Sequence, residues 1–331
     1  MSHTQSFRSI LVPVDGSSLA ERAIPFAVEI AKRTGAKMRV ALVHQEIPDV
    51  PVLASPKTYV DARLKMERSE DDYLRALTGH LTTQLGRRVS SAALNGLAAP
   101  TLIEYARDSD SDLVVMTTHG RGGIQRAWLG SVADQMIRNL AVPVLAVRAA
   151  EGNPVESPAS VSEILVPLDG SPLAEEVLQP AAMMARLWSA PISLVRIVQP
   201  VLIGTDPDFP LSATYDGQLT RLEIVSAQDY LDGIAQRLRN QGVESRSKVI
   251  LGGPTADKII QLAKCSPESL IALATHGRGG MSRLVLGSVA DKLIRDANVP
   301  LLMLRANGTK KDDALIDRIS VEQDLGLVAG R

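Results

Sequence analysis

Cysteine is nearly absent. Cys265 stands alone, so no intrachain disulfide can form, and a reducing compartment fits. Lying between Leu262 and a polar Ser-Pro-Glu-Ser run, Cys265 is expected to be a helix-end packing residue. Aromatics make up only 3% of the chain, so Val, Leu, Ile, Ala and Met must fill the core. The formal net charge of -1 gives no electrostatic reason to bind nucleic acid or an anionic membrane. No apolar run approaches the ~18 residues of a membrane span. The polar start, Met1 to Ser9, lacks the apolar core of a secretion signal. These absences lead to the expectation of a soluble cytoplasmic protein. The usual enzymatic signatures are missing too. The histidines (His3, His44, His80, His119 and His276) have no zinc-ligand spacing, and there is no Walker lysine motif and no G-x-S-x-G elbow. No catalytic residue is assigned.

What the sequence does contain is a repeat. At 331 residues, two domains are the natural prior. "SILVPVDGSSLAERAI" from Ser9 pairs with "EILVPLDGSPLAEEVL" from Glu163, "THGRGGIQRAWLGSVADQMIR" from Thr118 with "THGRGGMSRLVLGSVADKLIR" from Thr275, and "VPVLAVR" from Val142 with "VPLLMLR" from Val299. The order is the same in both halves. This reads as a tandem duplication, with domains at 1–150 and 151–308 and a tail at 309–331. The small, polar, Pro-containing run from Ala149 to Ser162 is the linker, where few contacts should cross.

Within each half, short apolar runs alternate with longer amphipathic ones. In the first, Ile10–Val14, Met38–His44, Val89–Leu94, Leu113–Thr117 and Val144–Val147 read as strands. Ser18–Thr34, Arg63–Leu85, Ala99–Arg107 and Val132–Asn139 read as helices. In the second, strands fall near Ile164–Leu168, Ile192–Val198, Arg246–Leu251, Leu270–Ala274 and Leu301–Leu304. Continuous apolar strands separated by helices predict a doubly wound α/β fold, a parallel sheet between helices, made twice. The apolar last strands would be open edges unless the two halves paired through them. The Pro-rich segments after each second strand, 45–61 and 199–218, read as long loops, either covers over a site or surface excursions.

The repeated glycine sentence follows the fourth strand of each half. A loop, His119-Gly120-Arg121-Gly122-Gly123 or His276-Gly277-Arg278-Gly279-Gly280, leads to Gly130-Ser131 or Gly287-Ser288 at a helix start. Glycines there allow positive φ and close ligand approach, and a helix start attracts anions, so the motif could cradle a phosphate. The arginines suit phosphate charge, and the histidines could donate to it or only close the turn. A ligand-free account also holds: Ser131-x-x-Asp134 and Ser288-x-x-Asp291 resemble capping boxes. Asp15 and Asp169 end the first strand of each half, where open α/β sheets bind ligands and a carboxylate could hold a ribose or a base. Helix capping is the rival role for them.

These ordered motifs, "ILVPVDGS" or "ILVPLDGS", "THGRGG", "LGSVADxxIR" and a closing "VPVLAV" or "VPLLML", resemble those of the universal stress (UspA-type) proteins, arranged as two domains head to tail. The resemblance covers nearly the whole chain except the linker and tail. It implies a five-stranded parallel sheet per domain and, in many members, ATP bound through Gly, two residues, Gly, nine residues, Gly-Ser/Thr. The last three of these fall on Gly120 and Gly130-Ser131, and on Gly277 and Gly287-Ser288. The family's adenosine-holding aspartate falls on Asp15 and Asp169. The first glycine is replaced by Thr117 and by Ala274. For the apolar residue near adenine the second half offers Ile197 and the first Gln45, which makes the second site the better candidate. The resemblance thus implies a stress-response protein that binds ATP, ADP or AMP, with Mg²⁺ as an optional companion and at most slow ATP hydrolysis. It also implies pairing of the halves within the chain and a homodimer. The alternative is a nucleotide-free interaction scaffold.

Overall fold

Valine- and isoleucine-rich runs become strands buried on both faces, and the amphipathic segments between them become helices on either side. A computed structural model describes residues 6–44, 56–118, 129–148, 159–203, 214–266, 268–275 and 286–306, with backbone only for 56–63. The first half runs β1 (Ser9–Val14), α1 (Ser18–Glu21), α2 (Ile24–Thr34), β2 (Lys37–His44), α3 (Pro56–Leu85), β3 (Ser90–Asn95), α4 (Ala98–Asp108), β4 (Leu113–Thr117), α5 (Ser131–Asn139) and β5 (Val144–Val147). The second runs β6 (Glu163–Pro167), α6 (Pro172–Glu175), α7 (Leu178–Trp188), β7 (Ile192–Val198), β8 (Leu202–Ile203), β9 (Thr214–Tyr215), α8 (Gly217–Asn240), β10 (Ser245–Leu251), α9 (Thr255–Lys264), β11 (Ser269–Ala274), α10 (Ser288–Asp296) and β12 (Leu301–Leu304).

The strand order is β3-β2-β1-β4-β5 in one half and β10-β7-β6-β11-β12 in the other, each parallel throughout. The chain winds outward from β1 through β2 to β3, then returns to the other side of β1 for β4 and β5. β1 and β4, like β6 and β11, therefore flank the point where the winding reverses. β5 and β12 pair antiparallel, Leu301 with Ala146 and Met303 with Val144, giving one ten-stranded sheet. Beside this junction, an Arg148 guanidinium N–H donates to the carbonyls of Arg295 (2.8 Å) and Ala297 (3.0 Å) at the end of α10, and Arg33 donates to the Leu187 carbonyl (2.9 Å).

Two cores cover the faces of the sheet. Ile10, Val12 and Val14 pack with α2 and α3 residues such as Val28, Leu74 and Leu81, while Leu11, Val114 and Met116 pack with Leu102 of α4 and Met136 and Ile137 of α5. The second half repeats the division.

Several elements depart from the sequence expectation. The helix expected over 18–34 is two helices, because Pro25 cannot donate an amide into a preceding turn and instead sits in the first turn of α2. α3 starts at Pro56 rather than Arg63. Proline at a first helical position loses no bond, since that amide is unpaired anyway. Part of the expected 199–218 loop is a small antiparallel pair, β8 with β9. The end of the expected linker packs on the second half. Ala159 and Val161 are buried, and the Trp188 indole N–H donates to the Ala159 carbonyl (3.3 Å). Cys265 is exposed at the C-cap of α9, its thiol 3.4 Å from the Gln261 carbonyl, so the packing role is wrong. The tail from 307 lies outside the described residues.

Candidate functional site

At the carboxyl end of β1 the chain turns sharply through Gly16 (φ 79°), and at β6 through Gly170 (φ 89°). The turn places the Asp15 carboxylate where it accepts from the Ser17 backbone N–H (2.9 Å) and hydroxyl (2.6 Å). Ser17 Oγ in turn accepts from the Ala20 N–H and caps α1. Asp169, Ser171 and Ala174 repeat this at 2.8, 2.6 and 3.2 Å. The capping role proposed for the aspartates therefore belongs to the serines, which the aspartates hold in place.

Glu21 and Glu175, in the short helices that follow, are fastened from outside. The Tyr73 hydroxyl donates to Glu21 (2.8 Å) and the Tyr230 hydroxyl to Glu175 (3.0 Å); Arg237 adds an ion pair to Glu175 (2.7 Å). Burial first, then the Glu175 charge and hydrogen bond, then the Asp169 charge, push the Tyr230 phenol above its ordinary value, with Arg196 opposing. The Arg196 guanidinium lies 5.6 Å from the ring centre. The sequence reading missed these tyrosines. The signal was present, since "DDYL" at 71–74 and "QDYL" at 228–231 recur at similar distances, with the tyrosines 52 and 55 residues after the two glutamates.

The adjoining strands supply the other side. β1 and β4 pair Leu11 with Val114, so at the same offset Asp15 comes level with Thr118; Asp169 likewise comes level with Thr275. The Thr118 carbonyl accepts from the Gly130 N–H (2.8 Å), and that of Thr275 from Gly287 (3.0 Å). Each glycine loop thus leaves and rejoins the sheet beside the aspartate. The loop residues themselves, including Gly120, Gly277, His119, His276, Arg121 and Arg278, lie outside the described residues, as does Gln45.

Helices α5 and α10 correct the capping-box expectation. Their caps are Gly130 and Gly287, which have no side chain to offer the first amides; Ser131 and Ser288 are the first helical residues. Asp134 and Asp291 turn instead to Arg138 (2.8 Å) and Arg295 (2.7 Å). Positive φ is not why Gly287 is glycine, since its backbone is extended (φ -60°). A Cβ there would lie 3.2 Å from the Thr275 carbonyl oxygen, closer than ordinary packing.

Strand alternation and register place the remaining candidate residues. Alternation along β4 and β11 puts Thr117 and Ala274 on the α2 and α7 side, away from α5 and α10. Thr117 is 6% exposed, so its methyl and hydroxyl belong to the interior. The contrast of Ile197 with Gln45 is out of register. The paired strands align Ile10 with Met38 and Ile164 with Ile192, which makes Val43 the counterpart of Ile197. Val43 pairs with Leu94 and Ile197 with Ile250, and all four pack on the α5 or α10 side. The apolar wall is therefore present in both halves.

An open α/β sheet, made twice, with a carboxylate and a glycine-capped helix at each winding reversal, defines the class. The universal stress protein family model matches residues 6–148 and 161–305, and the chain belongs to that family. It is 25% identical to universal stress protein Rv2005c of Mycobacterium tuberculosis, over 92% of this chain and 99% of the relative. It is 27% identical to Rv1996 of the same organism, covering 92% and 97%. Among solved structures, a universal stress protein from Archaeoglobus fulgidus superposes with TM-score 0.65 at 16% identity, covering 90% of this chain and 98% of its own. A universal stress protein in complex with cAMP matches 44% of this chain and all of its own (100%), at 23% identity and TM-score 0.33. Among the described residues, no helix is long and apolar enough to cross a membrane.

Proposed function

We propose that this chain binds adenine nucleotide at the carboxyl edge of one or both halves and acts as a stress-response sensor or regulator. The carrying observation is the juxtaposition, made twice, of an aspartate at the winding reversal with a helix whose cap is glycine. Gly130 and Gly287 leave the first amides of α5 and α10 without a capping side chain, which suits phosphate oxygens. The crowding at Gly287 reserves that spot for bare main chain. Asp15 and Asp169 would accept from a ribose or base, with Val43 and Ile197 as the apolar wall. Gly120, Gly277, Ser131 and Ser288 complete the assignment. Among the described residues no cluster of three or more acidic, histidine or cysteine side chains gathers, so a Mg²⁺ would depend on the phosphates and a single carboxylate. The two halves would act as one unit through their β5–β12 pairing, within the boundaries 1–150 and 151–308.

Isothermal titration with ATP, ADP, AMP and cAMP, with and without Mg²⁺, tests this. Binding heat is expected, reduced by Gly130→Val at the first site and by Gly287→Val or Asp169→Ala at the second. No heat at high micromolar nucleotide would leave the ligand-free scaffold as the answer.

A further inference from the structure

Each half carries an arginine immediately after its last strand, Arg148 after β5 and Arg305 after β12, and both are half-buried. Along β12, Leu301 and Met303 pack on the α10 side and Leu302 on the other, so alternation returns Arg305 to the α10 side. Main-chain hydrogen bonds fix where it stands. The Gly287 N–H donates to the Thr275 carbonyl (3.0 Å), and the Thr275 N–H donates to the Leu304 carbonyl (2.9 Å). Arg305 thus follows the residue that holds Thr275, and Thr275 holds the cap of α10. Gly130, Thr118 and Val147 make the same relay before Arg148, at 2.8 and 3.1 Å. The two side chains differ in what they meet. The Arg148 guanidinium is engaged across the seam by the Arg295 and Ala297 carbonyls (2.8 and 3.0 Å). The matching carbonyls for Arg305, those of Arg138 and Leu140, receive no such bond. Among the described residues the Arg305 side chain has neither a hydrogen bond nor an ion pair. Asp291, in the first turn of α10, is paired with Arg295 instead (2.7 Å). A half-buried guanidinium without a counter-charge is unfavourable, and an anion at the adjoining helix start would offset that.

Resting on the nucleotide reading above, we propose that Arg305 is the charge partner of the ligand's phosphates in the second half, which therefore selects a nucleoside polyphosphate over the monophosphate. The strand that carries Arg305 lies one spacing, ~4.8 Å, from the strand whose end holds the α10 cap. Phosphate oxygens at the first amides of α10 fall within reach of its planar fork, which can meet two of them at once. The first half has no equivalent, because Arg148 is held by the neighbouring half. Its site keeps the helix amides and Asp15 and discriminates less by ligand charge.

Titration calorimetry on the full chain carrying Gly130→Val, which silences the first site, reads the second alone. ATP should bind more tightly than AMP. Arg305→Gln should weaken ATP about tenfold and AMP by less, so that the preference shrinks, and Arg305→Lys, which keeps the charge, should restore part of it. Without ligand, Arg305→Gln should leave the thermal midpoint unchanged, since its side chain bonds nothing, whereas Arg148→Gln should lower it. On a chain carrying Gly287→Val, Arg148→Gln should leave the ATP affinity of the first site as it was. ATP binding that Arg305→Gln leaves intact, or equal losses for ATP and AMP, overturns this proposal alone. No heat from any nucleotide with the natural chain overturns the nucleotide reading and this one with it. A fall in first-site ATP affinity with Arg148→Gln overturns the contrast between the halves.

Discussion

At single positions, the duplication provides its own controls. Gly35 closes α2 in a left-handed conformation (φ 78°), and its counterpart Ser189 closes α7 at φ 53°. A side chain there costs about 1 kcal/mol that glycine avoids. Ser189→Gly should therefore stabilise the protein by roughly 0.5–1 kcal/mol in urea unfolding, and Gly35→Ala should destabilise it by a similar amount. Tyr73→Phe removes a half-buried hydroxyl from Glu21 and should cost about 1 kcal/mol. Tyr230→Phe tests a pH effect as well. The folded state holds the Tyr230 proton more tightly than the unfolded chain, whose phenol titrates near 10. The stabilisation is therefore complete below pH 10 and erodes as the pH rises beyond it. The difference in stability between the natural protein and Tyr230→Phe should shrink above pH 10, read by unfolding at successive alkaline pH values.

Among the elements, the strands were the most legible. Leu113–Thr117, Val144–Val147, Ile192–Val198 and Leu301–Leu304 fall where their apolar runs put them, because a strand buried on both faces leaves little ambiguity. Helix starts were less legible. Ser131 with Asp134 has the spelling of a capping box, yet Arg138 one turn on draws the aspartate along the helix, and the cap passes to Gly130. The site was readable as a list of residues but not as a geometry. That Ser17 caps α1 while Asp15 steers it, and that Val43 matches Ile197, depend on hydrogen-bond direction and strand register, which spacing alone does not fix. The tyrosine anchors went unread because each meets its glutamate across some fifty residues of chain.

For the molecule as a whole, the central junction decides cooperativity. Leu145 and Leu302 are fully buried and directly opposed across β5 and β12. Heating should give a single calorimetric transition. Leu145→Asp, which puts a charge in the dry centre of the sheet, should cost about 3 kcal/mol or more and separate the melting of the two halves. The same junction also fixes an orientation. Each half is parallel within itself and the seam is antiparallel, so the strands of one half end where those of the other begin. The two aspartates consequently look out from opposite rims of the molecule. A small ligand filling one rim leaves the other untouched, and a partner that reads both must straddle the full length of the strands or arrive as two.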